Sequence, residues 1–495
     1  MKRFLFLFTI LCTMLIAACD KTLEKVPMAK IDLSQAYNTA DDAAKAVYAA
    51  YAPLTLNNWT VNGYMHWVLG NVASDDTEKG GESGSDQLYA QQISLFNIPT
   101  DNDAIRFAWS SQYIGIRRAN LVLDNIPDIP MDENLKARYL AEAKFLRAWY
   151  YSNLVKTFGD VPLILSSNLD VYDLERTDAN LVYDQIIKDL EEAEAVLPLA
   201  QSYADADRGR ATKGAAQAYL GKAYLYMKDN VKAEEWFLKL IESEQYELAD
   251  DYFSIFLRDG ENSKEHIFQC KFLNDQGAAP LNNIITTVFA SRARNGWGFN
   301  LPTDDFVAAF EPGDPRLWHT VYKNGDIMPD GLSANVGNSS TGYLTKKTYV
   351  PEYERISGSI NAGRDDIYMR MGKVLLWYAE VANENGKTDD ALNALNAIRE
   401  RAREGNNVLP DITERDKTKL RNLIWQEQRV EFGQEFERFF ELVRQGRAGE
   451  VLRAYSAKYN TPKGSGFRDG VNEIFPIPQA ERNLSNNKLS QNFGY

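Results

Sequence analysis

Carboxylate side chains are plentiful in the chain, and one short polar stretch, "SDDTEKGGE", holds several of them close together. Its residues Asp75, Asp76 and Glu78 raise two chemical options. Two carboxyl groups about 5–10 Å apart can hydrolyse a glycosidic bond, and several oxygen ligands from one loop can bind calcium. The stretch lacks the full EF-hand pattern, and a solvated or helix-capping loop is the simpler interpretation. We retain Asp75 as a candidate ligand-binding residue.

Other catalytic patterns are missing from the sequence. The three histidines, His66, His266 and His319, have no second histidine at metal-ligand spacing, and no HExxH motif occurs. There is also no GxSxG elbow, no phosphate-binding GxxxxGK[ST] loop and no GxGxxG motif. We therefore interpret each histidine as a polar core or rim residue, and we predict no catalytic residue, no metal and no cofactor.

Aromatic residues make up 12% of the chain, and several of them fall in polar, glycine-rich regions. An exposed Trp or Tyr can stack on the C–H face of a sugar ring, while polar side chains hydrogen-bond to its hydroxyl groups. The alternative for any single ring is that it packs its loop onto the body of the protein. Together with Asp75, the candidate ligand-binding residues are Trp59, Tyr64, Tyr89, Trp297 and Tyr343.

The N-terminus combines a basic start, Lys2 and Arg3, with an apolar run over residues 4–16. This layout is typical of an export signal, and the run is shorter than a membrane-spanning helix. The sequence "IAAC" that ends at Cys19 resembles the lipobox of bacterial lipoproteins. That resemblance implies removal of residues 1–18 and acylation of Cys19, which would anchor the protein to a membrane. An ordinary signal with a chance cysteine is the alternative.

The overall composition limits the partners and the covalent chemistry. The chain has 55 basic and 69 acidic residues and a net charge of −14, so phosphate backbones repel it and nucleic acid is not an expected partner. Its 44% of hydrophobic residues can form a large core. Once Cys12 leaves with the signal and Cys19 is acylated, Cys270 is alone, so we predict a buried thiol without an intramolecular disulfide.

Helical patterns dominate the elements that would position these residues. In two predicted hairpins a small residue recurs after twelve positions, from Gly221 to Ala233 and from Ala379 to Ala391. This spacing resembles a tetratricopeptide unit, although unrelated hairpins are the alternative. We predict an all-α fold, a tetratricopeptide-like helical-hairpin scaffold with an irregular loop-rich subdomain. The predicted helical units are about 36–56, 106–245 and 366–447, and the predicted ligand-facing loop regions are about 57–105 and 250–360.

The C-terminal region carries the most specific resemblance. The stretches "LIWQEQRVEFGQEFERFFELVRQGRA" and "IFPIPQAERNLSNNKLSQNFGY", with "LGNVASDDTEKGG" and "YIGIRRAN" upstream, resemble the SusD/RagB family of Bacteroidetes surface lipoproteins. The resemblance covers nearly the whole mature chain, which we treat as one domain, 19–495, with the family motifs in 420–495. Within these motifs Arg429, Glu431 and Glu435 have spacings suited to ion pairs, and Phe432, Phe436 and Phe439 are expected in the core.

The resemblance implies a fold of four tetratricopeptide-like units and a place at the cell surface. Such proteins cover a SusC-like TonB-dependent barrel in the outer membrane, bind glycan and deliver it to the pore, and are not enzymes. Three alternatives stay open: a RagB-like protein that binds peptides, a lipid-anchored glycoside hydrolase, and a pure assembly scaffold. Ligand residues vary across the family, so the site candidates depend on loop position and chemistry alone.

Overall fold

The structure is a computed structural model that describes residues 36–55, 65–168, 174–260, 262–273, 283–355 and 362–495. The predicted signal peptide, Cys19, Trp59 and Tyr64 lie outside these ranges. Long helices form most of the body, which confirms the predicted all-α class. Among the described residues, no helix has both the length and the apolar character needed to cross a bilayer.

The helices follow one another along most of the chain. They are α1 (Ala40–Tyr51), α2 (Leu88–Ser94), α3 (Asp103–Asn125), α4 (Glu133–Phe158), α5 (Ala179–Val196), α6 (Lys213–Tyr226), α7 (Asn230–Glu242), α8 (Ile285–Phe289), α9 (Asp304–Val307), α10 (Pro315–Thr320), α11 (Met371–Glu384), α12 (Thr388–Ala402), α13 (Lys417–Glu431), α14 (Arg438–Arg444), α15 (Ala448–Tyr459) and α16 (Gln479–Leu484). A short π-helix covers Trp67–Val72. Side-chain caps begin several of the helices: the Asp132 carboxylate accepts from the Leu135 N–H, and the Thr212 hydroxyl accepts from the Ala215 N–H.

Consecutive helices pack in pairs, α3 with α4, α4 with α5, α6 with α7, and α11 with α12. In the α6–α7 pair, a Cβ added at Gly221 would lie 2.4 Å from the ring of Phe237. The missing side chain is therefore what lets the two helices approach each other. In the α4–α5 pair, Arg147 and Asp189 form a buried ion pair with a shortest distance of 2.7 Å.

Three short antiparallel strand pairs occur in the described part of the chain. They are β1 (Thr77–Gly80) with β3 (Phe299–Pro302), β2 (His266–Cys270) with β6 (Asp366–Arg370), and β4 (Val321–Lys323) with β5 (Tyr343–Thr345). In the β2–β6 pair, Cys270 lies opposite Asp366, and its thiol is buried, as predicted, and is unbridged among the described residues. Strand β6 leads directly into α11 and so joins the loop-rich subdomain to the helical scaffold.

A buried network of ion pairs connects these parts, and we call it the Glu431 network. Glu431, at the end of α13, contacts Arg316 at 3.1 Å, Arg370 at 2.7 Å and Arg401 at 2.5 Å. Arg370 and Arg401 share a second carboxylate, Glu265. The predicted ion-pairing role of Glu431 is confirmed, although its partners lie on α10, β6 and α12.

The neighbouring residues of the C-terminal motif have the expected roles. Phe432 and Phe439 are buried in the main core, and Phe436 is partly buried against it. Glu435 pairs with Arg370 and Lys347, and Arg429 contacts both Asp75 and Asp76. The motif therefore connects one stretch of sequence to several distant elements.

We expect the substitution Glu431→Gln to lower the free energy of unfolding by about 3–5 kcal/mol, because it removes the charge that three buried guanidinium groups share. Urea unfolding at neutral pH measures this change. Glu247→Gln is a matched control, since Glu247 and its partner Lys264 are both largely exposed, and we expect it to cost at most about 0.5–1 kcal/mol. Equal effects of the two substitutions would contradict the central role of Glu431.

A candidate binding cavity beside the β2–β6 sheet

A cavity of about 100 Å³ opens where α4, α6 and α11 meet the β2–β6 sheet and the loop 434–437. This volume can hold several water molecules or the end group of a ligand. Its wall contains aromatic rings, amides and a cluster of charged groups. Such a mixture in a concave site is typical of small-ligand binding. We call it the lysine cavity, after Lys156, Lys222, Lys347 and Lys373 in its wall.

Two helices supply the aromatic and amide part of the wall. Trp149, Asn153 and Lys156 lie on one face of α4, because positions four and seven residues apart share a face of a helix. Tyr219 and Lys222 come from α6. The Trp149 indole N–H donates to the Tyr219 hydroxyl at 3.0 Å, which fixes the two rings relative to each other.

The loop 434–437 supplies two carboxylates to the cavity, Glu435 and Glu437. Gln434 and Phe436 have positive φ angles of 67° and 66°, which cost free energy in residues other than glycine. The close packing of Phe436 on Gly70, where an added Cβ would lie 1.9 Å from the Phe436 carbonyl oxygen, holds the loop in place. The Phe436 N–H also donates to the Asn71 side chain at 3.1 Å.

The charges in the cavity are unevenly paired. Glu437 lies 2.8 Å from Lys222 and 3.7 Å from Lys373, whereas Glu435 is engaged by Lys347, by Arg370 of the Glu431 network and, at 3.4 Å, by Lys373. Lys156 lies over the ring of Phe440 at 4.5 Å. Within the described part of the chain, it has no carboxylate within 4.0 Å.

Burial and the neighbouring charges determine the protonation states. Burial lowers the pKa of Lys156 to about 7, against the opposing attraction of Glu437. Burial disfavours the charged form of Glu437, but Lys222, Lys156 and Lys373 outweigh it and lower its pKa to about 2. Burial, and then the same three lysines, lower the pKa of His66 well below its usual value, so this histidine is neutral at pH 7.

The protonation states of the two loop carboxylates, Glu435 and Glu437, favour binding over proton transfer. A general acid that works near neutral pH needs a raised pKa, and the pKa values of Glu435 and Glu437 are both lowered by lysines or arginines despite burial. Burial raises the pKa of Asp365 to about 6. This carboxylate accepts from the Phe272 N–H at 3.0 Å and lies 3.4 Å from Lys271, so it ties together two chain segments near the β2–β6 pair.

Asp75 does not have the exposure that the sequence analysis assumed. Its carboxylate is buried and accepts from the Arg438 guanidinium at 2.9 Å through both oxygens, and it also contacts Arg429 at 2.9 Å. The stretch "SDDTEKGG" includes strand β1, and its two aspartates, Asp75 and Asp76, contribute to an internal ion-pair network with Arg429 and Arg438. Asp75 is therefore a structural residue in this fold, and its carboxylate is not presented to a surface ligand.

The other candidates on described residues lie apart from the lysine cavity. Tyr89, in α2, and Trp297 are partly buried against the main core. Tyr343 begins β5 and packs against the small apolar cluster that contains Phe306. The structure does not bring these three rings together, and their ligand contacts stay predictions, as do those of Trp59 and Tyr64.

The lysines of the cavity were missed because the sequence analysis treated the helices as scaffold. One signal was available: Lys222 and Lys373 interrupt otherwise apolar helical stretches, "AYLGKAYLY" and "MGKVLLWYAEV". A lysine inside such a stretch is expensive to bury without a partner. Among the described residues, no group of three or more His, Cys, Asp or Glu side chains is placed to hold a metal ion.

Comparisons with known proteins identify the architecture. Residues 264–495 match the family model described as the SusD family, and residues 38–225 match the one described as starch-binding associating with outer membrane. SusD-like protein P2 of Formosa agariphila is 26% identical over the full length of both chains.

Two solved structures are also similar to the chain. The structure of a laminarin binding SusD-like protein is 29% identical, with a TM-score of 0.80, and the match covers 93% of this chain and 100% of that one. Surface glycan-binding protein A from Bacteroides fluxus is 25% identical, with a TM-score of 0.77, over 92% and 100% of the two chains. The likeness therefore extends over nearly the whole described body.

We expect Lys156→Met to raise the free energy of unfolding at pH 7 by about 1–2 kcal/mol, because methionine fills similar space without an unpaired buried charge. The unfolded chain keeps the Lys156 proton up to about pH 10.5, whereas the folded protein releases it near pH 7. Between these values the unfolded state binds more protons, so the stability of the unsubstituted protein rises with pH and the advantage of the variant shrinks.

Urea unfolding at pH 7 and pH 9 tests this expectation. The matched control is Lys188→Met on α5, because Lys188 is exposed and its removal should change the free energy by less than about 0.5 kcal/mol at both pH values. A loss of stability in Lys156→Met at pH 7, with the control unchanged, would show that the ammonium group stabilises the fold.

Proposed function

Because the chain belongs to the SusD/RagB family, we propose that it is a cell-surface lipoprotein of the outer membrane that binds glycan and delivers it to a SusC-like TonB-dependent transporter. The observation that carries this proposal is the 29% identity, over 93% of the chain, to a laminarin binding SusD-like protein. The family model described as starch-binding associating with outer membrane supports both the ligand class and the location.

The lysine cavity supports a role in binding. Trp149, Tyr219 and Tyr368 give its wall flat apolar faces, and Asn153 adds an amide beside them. Rings of this kind stack on sugar faces and amides hydrogen-bond to hydroxyl groups. The cavity carboxylates Glu435 and Glu437 have lowered pKa values, and this property favours a non-catalytic protein.

The chain order also supports membrane anchoring. The "IAAC" motif that ends at Cys19 would place the acyl chains on the N-terminal side of the folded body, whose first described helix begins at Ala40. In this proposal residues 1–18 are removed and residues 19–495 form one domain. Two or more acyl chains stabilise membrane attachment durably, since each buried CH₂ contributes about 0.8 kcal/mol.

We expect isothermal titration calorimetry to detect saturable binding of at least one oligosaccharide from a panel that includes laminarihexaose, with no new reducing ends after prolonged incubation. The physical reason is the combination of aromatic faces and fixed charges, in which the loop carboxylates Glu435 and Glu437 have lowered pKa values and so lack the proton that a general acid must donate at pH 7. Oligopeptides of matched length are the comparison. Binding of peptides with no response to any glycan would contradict the proposal and favour a peptide-binding member of the family.

We expect Cys19→Ser to move the protein from the membrane fraction to the soluble fraction, because the serine hydroxyl is not the acyl acceptor that the lipobox resemblance implies. Fractionation of cells followed by immunoblotting measures the distribution. Cys270→Ser is the matched control, since its thiol is buried in β2 and the exchange should leave the protein in the membrane fraction. Membrane attachment of the Cys19→Ser variant would exclude a lipid anchor at this position.

A further inference from the structure

We propose that the lysine cavity receives an acidic group of the glycan, either a carboxylate or a sulfate ester, with Lys156 and Lys222 as its cationic partners. This inference rests on the proposed glycan-binding function and adds the chemical class of the ligand. It is argued from the lining of the cavity and from its excess of positive charge, which contrasts with the negative net charge of the whole chain.

The first step is the local charge balance. Glu435 is engaged by Lys347, by Arg370 and, at 3.4 Å, by Lys373, and Glu437 is engaged by Lys222 and, at 3.7 Å, by Lys373. The four lysines of the cavity therefore face the two carboxylates of the loop 434–437, and in their charged forms they leave about two positive charges uncompensated, four minus two. The whole chain has a net charge of −14, which makes a cationic cavity an exception in an acidic protein. An anion in the cavity would restore the balance.

The second step is the position of Lys156. Its side chain comes from a face of α4 that also carries Trp149 and Asn153, and all three line the cavity. Because no carboxylate of the described residues lies within 4.0 Å of Lys156, its ammonium group is available to a ligand in the cavity. A charge-assisted hydrogen bond to an anionic oxygen would be stronger than one between neutral groups.

The third step distinguishes a glycan from a simple anion. Glu437 has one buried oxygen, Oε2, that accepts no hydrogen bond within the described part of the chain. A hydroxyl group beside the acidic substituent can donate to this oxygen and satisfy it. Trp149 and Tyr368 provide ring faces for the sugar itself. The volume of about 100 Å³ suits the acidic end of a chain, while the rest of the glycan extends outward.

Protonation of Lys156 is coupled to this binding. Burial lowers its pKa to about 7, and a bound anion would raise that pKa again, so binding takes up protons at and above neutral pH. The charged groups that face Lys156 are Lys222 on α6, Lys373 on α11, Glu437 in the loop and Glu441 on α14. His66, which is neutral at pH 7, also lines the cavity beside these groups. Affinity for an acidic glycan should therefore be higher at pH 6.5 than at pH 8.5.

Matched pairs of ligands test the inference. Calorimetry compares oligogalacturonate with its methyl ester, and sulfated with unsulfated laminari-oligosaccharides, so the members of each pair share one sugar backbone and differ in the acidic substituent, and the two pairs distinguish carboxylate from sulfate. We expect the acidic member of at least one pair to bind about tenfold more tightly or better, the scale of one charge-assisted hydrogen bond. Lys156→Met should remove most of that preference, Lys156→Arg should retain it, and Lys188→Met should leave it unchanged.

Each result leads to a definite conclusion. Lys222→Met provides a second variant for the case in which Lys156→Met fails to fold, and thermal melting of every variant identifies that case. Equal affinity for acidic and neutral members would overturn this inference while the glycan-binding function stands. If no glycan binds at all, the proposed function fails as well. Tight binding of polyglutamate without any acidic glycan would instead assign the cationic cavity to peptides.

Discussion

The Glu431 network is the constraint on which the other parts of the structure depend. One carboxylate at the end of α13 is shared by guanidinium groups from α10, β6 and α12. Buried charges are tolerated only when every member has a partner, so these elements have to assemble together. Burial opposes the ionisation of Glu431, but Arg401, Arg370 and Arg316 outweigh it and lower its pKa to about 2, so the network remains charged at neutral pH.

The same network determines where the lysine cavity forms. Glu435 lies four residues after Glu431 and shares Arg370 with it, so the network holds one end of the loop 434–437. Gly70 and Asn71 hold the loop at Phe436. Between these attachment points the loop keeps its two positive φ angles and presents Glu437 to the lysines from α6 and α11. The ion pairs and packing contacts at both ends of the loop thus offset the free-energy cost of its two positive φ angles.

Much of the scaffold could be predicted from sequence because its signals are local. The twelve-residue spacing from Gly221 to Ala233 reports a close helix contact within one hairpin, and that contact is present. The site was harder to predict because its partners are distant in sequence. Asp75 was interpreted as an exposed loop residue, yet its partner Arg438 lies 363 positions away. Periodicity within a helix gives no information about such pairs, so a polar loop and a buried ion-pair network look alike in sequence.

The arginines of the Glu431 network and Lys156 of the lysine cavity differ in how well their charges are paired. In the Glu431 network each arginine has a carboxylate within 3.1 Å, which fits a purely structural role. Around Lys156 the balance is incomplete, because burial outweighs the attraction of Glu437 and lowers the pKa of this lysine to about 7. Selection for stability alone would favour an uncharged side chain at this position. An unpaired lysine beside an open cavity is therefore better explained by a ligand that supplies the missing charge.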